Sequence, residues 1–432
     1  MRSRVFLMFS AALLSSADAR AVTLDDALAA ARDHATDLKL VHERTIQAES
    51  FRWQAWSALA PKVVANASYT INEREIVLDS SAFVPPELAS LIPESEPFVI
   101  QAKEYASWNV SVVQPLFSGT AMPTLRGAYR NAESVRESER AAEQAIRAGV
   151  SRAYYGVLTA REGEAIAEAA VATTKQGEEL AKRSVLAGLS PNRASLQAEL
   201  ARSQAERDLR NATAGRVQAE QAFARLTGLP ADAPVELPPE PAVPRDLDGA
   251  VETARTSRPD VLAARYQVDA ARFAHQAHWA GWLPAVDGRF TYNWSENIGF
   301  TGQRGFWMVV VEGKWTLWDG GYRIAKARET ASQLHMADYA ATRQEDLAVE
   351  EVRVAWEGYS RAASALESMG HELALAEQNL EQAQAGFGAG STTWLELETA
   401  QLQLRATRLS QLVERMNRDL AAIDLERAIG TL

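Results

Sequence analysis

Cysteine is absent from the chain. That excludes disulfide frameworks, thiolate metal sites, thiol nucleophiles and a lipid anchor on an N-terminal cysteine. Positive charge is in deficit as well: 45 Lys plus Arg stand against 56 Asp plus Glu, a formal net charge of -11, so nucleic acid is not expected as a partner. Beyond the N-terminus no stretch approaches the roughly 18 consecutive apolar residues of a membrane-spanning helix. Enzyme signatures are missing too, with no His-Glu-x-x-His and no Gly-x-Ser-x-Gly, and adjacent carboxylates such as Glu350 and Glu351 point apart on a helix. Neither an enzyme nor a cofactor is expected. The 432 residues, 47% of them hydrophobic, are enough for a sizeable core but name no fold.

What is present begins at the first residues. Arg2 and Arg4 precede an apolar run from Val5 to Leu14, and Ala17-Asp18-Ala19 or Ala19-Arg20-Ala21 supplies a small-x-small cleavage pattern. This is the pattern of a secretory leader over residues 1–21, too short to span a bilayer, with cleavage after Ala19 or Ala21. The protein is therefore expected to be exported.

The rest of the chain is two copies of one unit. Leu24-Asp25-Asp26-Ala27 aligns with Leu247-Asp248-Gly249-Ala250, Trp56 with Trp279 and Pro61 with Pro284, all at an offset of 223. Further on, Leu116-Phe117-Ser118-Gly119 aligns with Leu317-Trp318-Asp319-Gly320 at 201, Gly188 with Gly390 and Gly228 with Gly430 at 202. The first copy (22–229) therefore carries about 22 extra residues between Pro61 and Leu116, where Pro85, Pro86, Pro93 and Pro97 indicate a loop. A linker over 230–245, with Pro230, Pro234, Pro238, Pro239, Pro241 and Pro244, separates it from the second copy (246–432) and excludes helix or central strand there.

Four segments, near 62–72, 107–117, 285–295 and 306–318, alternate with period two. Val286, Gly288, Phe290, Tyr292 and Trp294 oppose Asp287, Arg289, Thr291, Asn293 and Ser295, the signature of a strand with one apolar face. Each has about the ten residues of a tilted strand crossing hydrocarbon. Nine of the 11 tryptophans, among them Trp56, Trp108, Trp279, Trp294, Trp307 and Trp315, lie in or beside these segments. Indole favours the headgroup boundary, so they form an expected aromatic girdle. A strand edge in lipid leaves backbone groups unpaired, and four strands cannot close a barrel. Two chains would supply eight strands around a filled interior, and three would supply twelve around an aqueous lumen.

The remaining sequence is rich in Ala, Glu, Gln, Arg and Leu and almost free of proline, which predicts helix. Thr124 to Leu186 and Tyr322 to Ala385 each run over about 60 residues, roughly 90 to 100 Å of helix. In the last helix Leu395, Thr399, Leu402, Ala406, Leu409, Val413, Met416, Leu420 and Ile423 follow the 4-3 spacing of a coiled-coil seam. Each long helix ends at a tight turn about 100 Å of helix from the strands. In the first, Gly188 is expected in the left-handed conformation, with Ser190 as N-cap and Pro191 as the first helical residue. In the second, Gly390-Ser391-Thr392 precedes Thr393-x-x-Glu396, a capping box.

Leader, tandem halves, a pair of strands in each half, helices of this length and glycine turns together resemble the TolC-type outer-membrane factor family over the whole mature chain. The resemblance implies a mainly α fold with a transmembrane β part. In it three chains share a 12-stranded β-barrel in the outer membrane and an α-barrel of coiled-coil helices crosses the periplasm. It implies a homotrimer in outer-membrane lipid whose tips dock to a periplasmic adaptor protein and an inner-membrane pump, serving as the exit duct for solutes. The tip motif of that family is matched by Gly188-Leu189-Ser190 and Gly390-Ser391-Thr392. Its pore-ring acid is matched by Glu396, whereas the equivalent after the first glycine is Ala194. Phe387 stands where a gate tyrosine would bring a hydroxyl, so its packing is expected to substitute for polar closure.

Simpler roles stand beside these. Glu396 also serves as the capping partner of Thr393. His275 and His278 could share a metal, but beside Trp279 an interfacial role is expected. Gly386-x-Gly-x-Gly390 follows a helix rather than a strand and is a turn, not a phosphate loop. The rival to an export channel is a periplasmic coiled-coil scaffold that never enters the membrane.

Overall fold

The computed structural model describes residues 21–78, 98–188, 191–239, 243–298, 302–389 and 391–432. The leader expected over 1–21 thus lies, but for Ala21, outside the described residues. Eight helices are described: α1 (Leu24–His34), α2 (Thr36–Ser57), α3 (Ala121–Leu186), α4 (Asn192–Thr227), α5 (Leu247–Ser257), α6 (Pro259–Ala280), α7 (Tyr322–Gly388) and α8 (Trp394–Ile429). They form two series of matched length: 11, 22, 66 and 36 residues in α1 to α4 against 11, 22, 67 and 36 in α5 to α8. None is long and apolar enough to cross a membrane.

Two compact units divide the chain, and each draws on both series. The first contains Met1–Glu43, Glu137–Leu262 and Arg343–Leu432. Its core has two clusters at matched positions. Ala27, Ala31, Val150 and Phe223 pack around Tyr154 and Val157, while Ala250, Ala254, Val352 and Leu425 pack with Ala428 and Ile429. Alanine on the short helices lets them lie close to the long ones, and the larger side chains fill the remaining space. The proline-rich linker runs beside the chain start. Val22 N–H donates to the Pro234 carbonyl (2.7 Å), and the buried Tyr154 hydroxyl lies between the carbonyls of Val22 (2.8 Å) and Glu236 (2.5 Å). Arg258, almost fully buried, is bidentate to Asp260 (2.8 Å twice) and also donates to Glu351 (2.6 Å) and the Ala428 carbonyl (3.1 Å). Four donor contacts offset the desolvation of one guanidinium.

The second unit, Arg44–Arg136 with Ala263–Thr342, carries an antiparallel sheet in the order β1-β4-β5-β6. Its strands are β1 (Lys62–Ile71), β4 (Glu104–Phe117), β5 (Ala285–Ser295) and β6 (Gly305–Lys314). Pro115 is accommodated in β4 at a register shift next to Phe117, the place where a sheet tolerates a missing donor.

Three details differ from the sequence expectation. The fourth strand stops at Lys314 rather than near 318, so Trp315 lies outside it. Its partner β5 begins at Ala285, opposite Lys314, directly after Pro284, and no ladder remains for the next residues. The Thr316 carbonyl instead accepts from the Arg323 guanidinium (2.6 Å). The insertion carries a short hairpin, β2 (Ile76–Leu78) with β3 (Phe98–Gln101), whose strands are too short to show a period; Pro85, Pro86, Pro93 and Pro97, where a loop is expected, lie outside the described residues. Finally, Pro191 is the N-cap of α4, not its first residue, with φ -72° and ψ 153° and no side-chain cap.

Candidate functional site

The register of the sheet sorts its side chains into two faces. Val63 faces Val112 and Ala65 faces Val110. Val112, Val110 and Trp108 face Phe290, Tyr292 and Trp294, and Phe290 and Tyr292 face Val309 and Trp307. One continuous apolar surface results. No described residue covers its outer strands: Val63, Tyr69 and Ile71 on β1 and Trp307, Val309 and Val311 on β6 are 62–69% exposed. A contiguous exposed apolar face of this kind requires a lipid or protein partner.

The opposite face carries amides and hydroxyls in rows. Asn66 faces Asn109, which faces Asn293, and Ser68 faces Ser107, which faces Ser295. Asn66 donates to Asn109 Oδ1 (3.1 Å), and the Ser68 and Ser107 hydroxyls lie 2.9 Å apart. Charge appears on this face toward one end, at Lys62, Arg289, Asp287 and Glu312. β1, β4 and β5 thus present mostly apolar groups on one side and water-compatible groups on the other, whereas β6 is apolar on this side too, at Phe306, Met308 and Val310; each strand has at least about the ten residues that cross hydrocarbon.

Tryptophans bracket the apolar face. Trp108 stacks on Trp294 (6.2 Å, 18°) and tilts against Tyr292 (5.5 Å), with Trp307 opposite Tyr292. Beyond the other strand ends, Trp279 stacks on Trp282 (6.1 Å), the Arg323 guanidinium lies 4.3 Å over the Trp282 ring, and Trp315 donates to the Trp282 carbonyl (3.0 Å). Trp56 and Trp315 are exposed. From Trp307 to the end of β6 at Lys314 is about 23 Å at about 3.3 Å per residue, and Trp315 follows directly. His275 and His278 are engaged here. His275 Nδ1 is 2.8 Å from Thr330 Oγ1 and its Nε2 accepts from Trp279 (3.0 Å), while His278 Nε2 is 2.7 Å from the Arg323 carbonyl.

In the first unit the helices flanking the two turns pack together, through Ala181, Ala194 and Ala198 on one side and Trp394, Leu397 and Leu380 on the other. Gly188 ends α3 with φ 71°, its N–H donating to the Val185 carbonyl (3.0 Å); a side chain there would be strained. Leu189, Ser190 and Gly390 lie outside the described residues. The second turn closes on the Gly386 carbonyl, which accepts from Ser391 N–H (2.9 Å), Thr392 N–H (3.2 Å) and the Ser391 hydroxyl (3.1 Å). A Cβ on Gly386 would overlap the Thr392 hydroxyl, so this glycine permits the fold-back. The capping box is formed as expected: Glu396 Oε2 accepts from Thr393 N–H (2.7 Å) and the Thr393 hydroxyl (3.0 Å). Those bonds, the backbone one first, hold the Glu396 carboxyl below its ordinary pKa, so it is ionised at neutral pH.

Sequence reasoning missed Trp394. It is 8% exposed and lies in a cluster with Ala181, Ala194, Ala198 and Leu397, against Leu380, Ala383 and Phe387. Phe387 meets it edge-on (5.9 Å, 68°). Ala194, six positions after Gly188 as Glu396 is after Gly390, is buried in this cluster. The only signal in the sequence was an aromatic directly after a capping threonine.

The 4-3 stripe of α8 is exposed within the chain at Leu395, Leu402, Leu409 and Val413, while Leu397, Ala400, Leu404 and Thr407 are buried. The helix carries two apolar stripes: the chain covers the one through Leu397 and Leu404, and the heptad stripe only at its C-terminal end, where Ile423 is buried beside Ala148 and Tyr155 with Leu420 packed against them.

The uncovered apolar face of the sheet fits the class of membrane proteins that meet the bilayer through strands. The chain belongs to the outer membrane efflux protein family, whose sequence profile matches residues 27–229 and 250–431. Among solved structures it is similar to the transmembrane channel CusC, with 18% identity, a TM-score of 0.78 and 94% of this chain and 92% of that one covered. VceC, an outer membrane protein of Vibrio cholerae, is 18% identical at a TM-score of 0.75 over 94% and 96%. The MtrE outer membrane channel of Neisseria gonorrhoeae, in its open state, is 18% identical at 0.74 over 94% and 88%. No curated protein matches the sequence significantly.

Proposed function

We propose that three copies of this chain close their sheets into one 12-stranded barrel in the outer membrane, forming the exit duct of a tripartite efflux or secretion system. The observation that carries this is the sheet itself, which ends in two strands, β1 and β6, each paired on one side only, beneath an uncovered apolar face. In hydrocarbon each unpaired backbone group costs several kcal/mol, and a neighbouring copy's edge strand supplies the partners. The row of Asn66, Asn109 and Asn293 then faces the lumen, Trp108, Trp294 and Trp307 one headgroup boundary, and Trp56, Trp279 and Trp315 the other. The exposed stripe of α8, Leu395 to Val413, is the surface left for a neighbouring copy's helices.

Transport through such a duct is passive. The paired turns, Gly188-Leu189-Ser190 and Gly390-Ser391-Thr392, are the docking points for a periplasmic adaptor protein that links the duct to an inner-membrane pump. The ionised Glu396 sits one turn inside the second docking point, where three copies ring the mouth and favour cations. Glu396→Gln keeps a capping partner at that position and removes the charge. In planar bilayers this variant is expected to lose cation preference relative to wild type; an unchanged preference overturns the ring assignment.

A further inference from the structure

We infer that Trp394 and Gly177 form a latch that holds the mouth of the duct closed, a step that rests on the duct proposal and names the residues that control opening. Trp394 opens α8, yet its indole is seated on α3 of the other helical hairpin. A Cβ built on Gly177 would stand 2.5 Å from Trp394 Cη2 and 3.2 Å from its Cζ2, so the ring edge occupies the space that any other residue would fill. Of the apolar residues packed around it, those of the first hairpin are small, Ala181 on α3 and Ala194 and Ala198 on α4. The second closes over the ring with Leu380, Ala383 and Phe387. One side chain thus joins α3 and α4 to α7 and α8, and the hairpins cannot separate at the mouth while it stays seated.

The seat is built to release. Trp394 Nε1 is buried with no hydrogen-bond partner among the described residues. A buried donor left unsatisfied opposes burial, so the indole gains a bond to water when it leaves. Shape and dispersion hold the ring while its own N–H favours release, the balance expected of a contact that must break in use. A purely structural core tryptophan gains from a satisfied N–H.

Single-channel recording of the full-length assembly in planar bilayers tests this. Trp394→Ala empties the seat, and Gly177→Ala expels the ring while improving the helix propensity of α3, so loss of fold and loss of latch separate. Both are expected to raise open probability several-fold over wild type. Trp394→Phe keeps an aromatic ring, removes the orphan donor and is expected to stay at or below wild type. A conducting wild type whose open probability is unchanged in Trp394→Ala and Gly177→Ala overturns the latch alone. A wild type that forms no channel overturns the duct proposal and the latch with it.

Discussion

Trp108 and Trp294 lie opposite each other on β4 and β5 with their rings stacked at 6.2 Å, so the centre of the sheet joins the first half of the sequence to the second. Neither half alone makes more than a two-stranded ribbon, which is at best marginally stable. The pairing also aligns the apolar residues of both halves on one face, because a slip by one residue would turn every side chain over.

Lipid and lumen faces separate by substitution. Val309→Arg places a charge on the apolar face near mid-strand and is expected to cost about 2–4 kcal/mol per chain, with loss of heat-labile oligomers from the outer-membrane fraction. Asn293→Arg, on the polar face, is expected to keep them. Equal tolerance of both would contradict the face assignment.

Breaking the Arg258 cluster should weaken the first unit. Its guanidinium is 7% exposed, whereas Asp260 and Glu351 are 29% and 45% exposed. Arg258→Ala therefore leaves partners that water can reach, and the expected cost is about 3 kcal/mol, at the low end for a broken buried pair. The thermal midpoint of the purified protein should fall by several degrees, and less for Glu351→Gln. A midpoint unchanged by Arg258→Ala would show that the cluster is dispensable.

Acid should loosen the hairpin of α3 and α4. Glu178 is buried and accepts from Lys182 (2.5 Å) and Arg202 (2.6 Å), and these partners, Lys182 foremost, depress its pKa. A depressed carboxyl contributes stability above its unfolded value, about 4.3, and loses it as pH falls through the folded value. Glu178→Gln should flatten that acid limb of the melting curve. An identical acid limb in the variant would place the pH sensitivity elsewhere.

The strands were readable because alternation and tryptophan coincide over ten residues, as in Val286 to Ser295, and the capping box because Thr393 and Glu396 sit three apart. The hairpin of β2 and β3 was not readable, since three or four residues do not establish a period. Nor was the seat of Trp394: its fit depends on Gly177, Ala181 and Ala194, which only the tertiary fold brings to it. In α8 the sequence offers two apolar stripes, and spacing alone does not say that Leu397 and Leu404 turn into the chain while Leu395 and Leu402 turn out. Position along one chain leaves unstated what a second chain covers.

The absence of native cysteine allows a direct test of the shared barrel. Cysteines introduced singly at Ala67 on β1 and together with each of positions 307–311 on β6 should, on oxidation in outer-membrane vesicles, link edge strands of neighbouring copies. The account predicts that one register gives a ladder of species ending at three chains. A monomer in every register, or a protein extracted by salt without detergent, would contradict it and favour a scaffold outside the membrane.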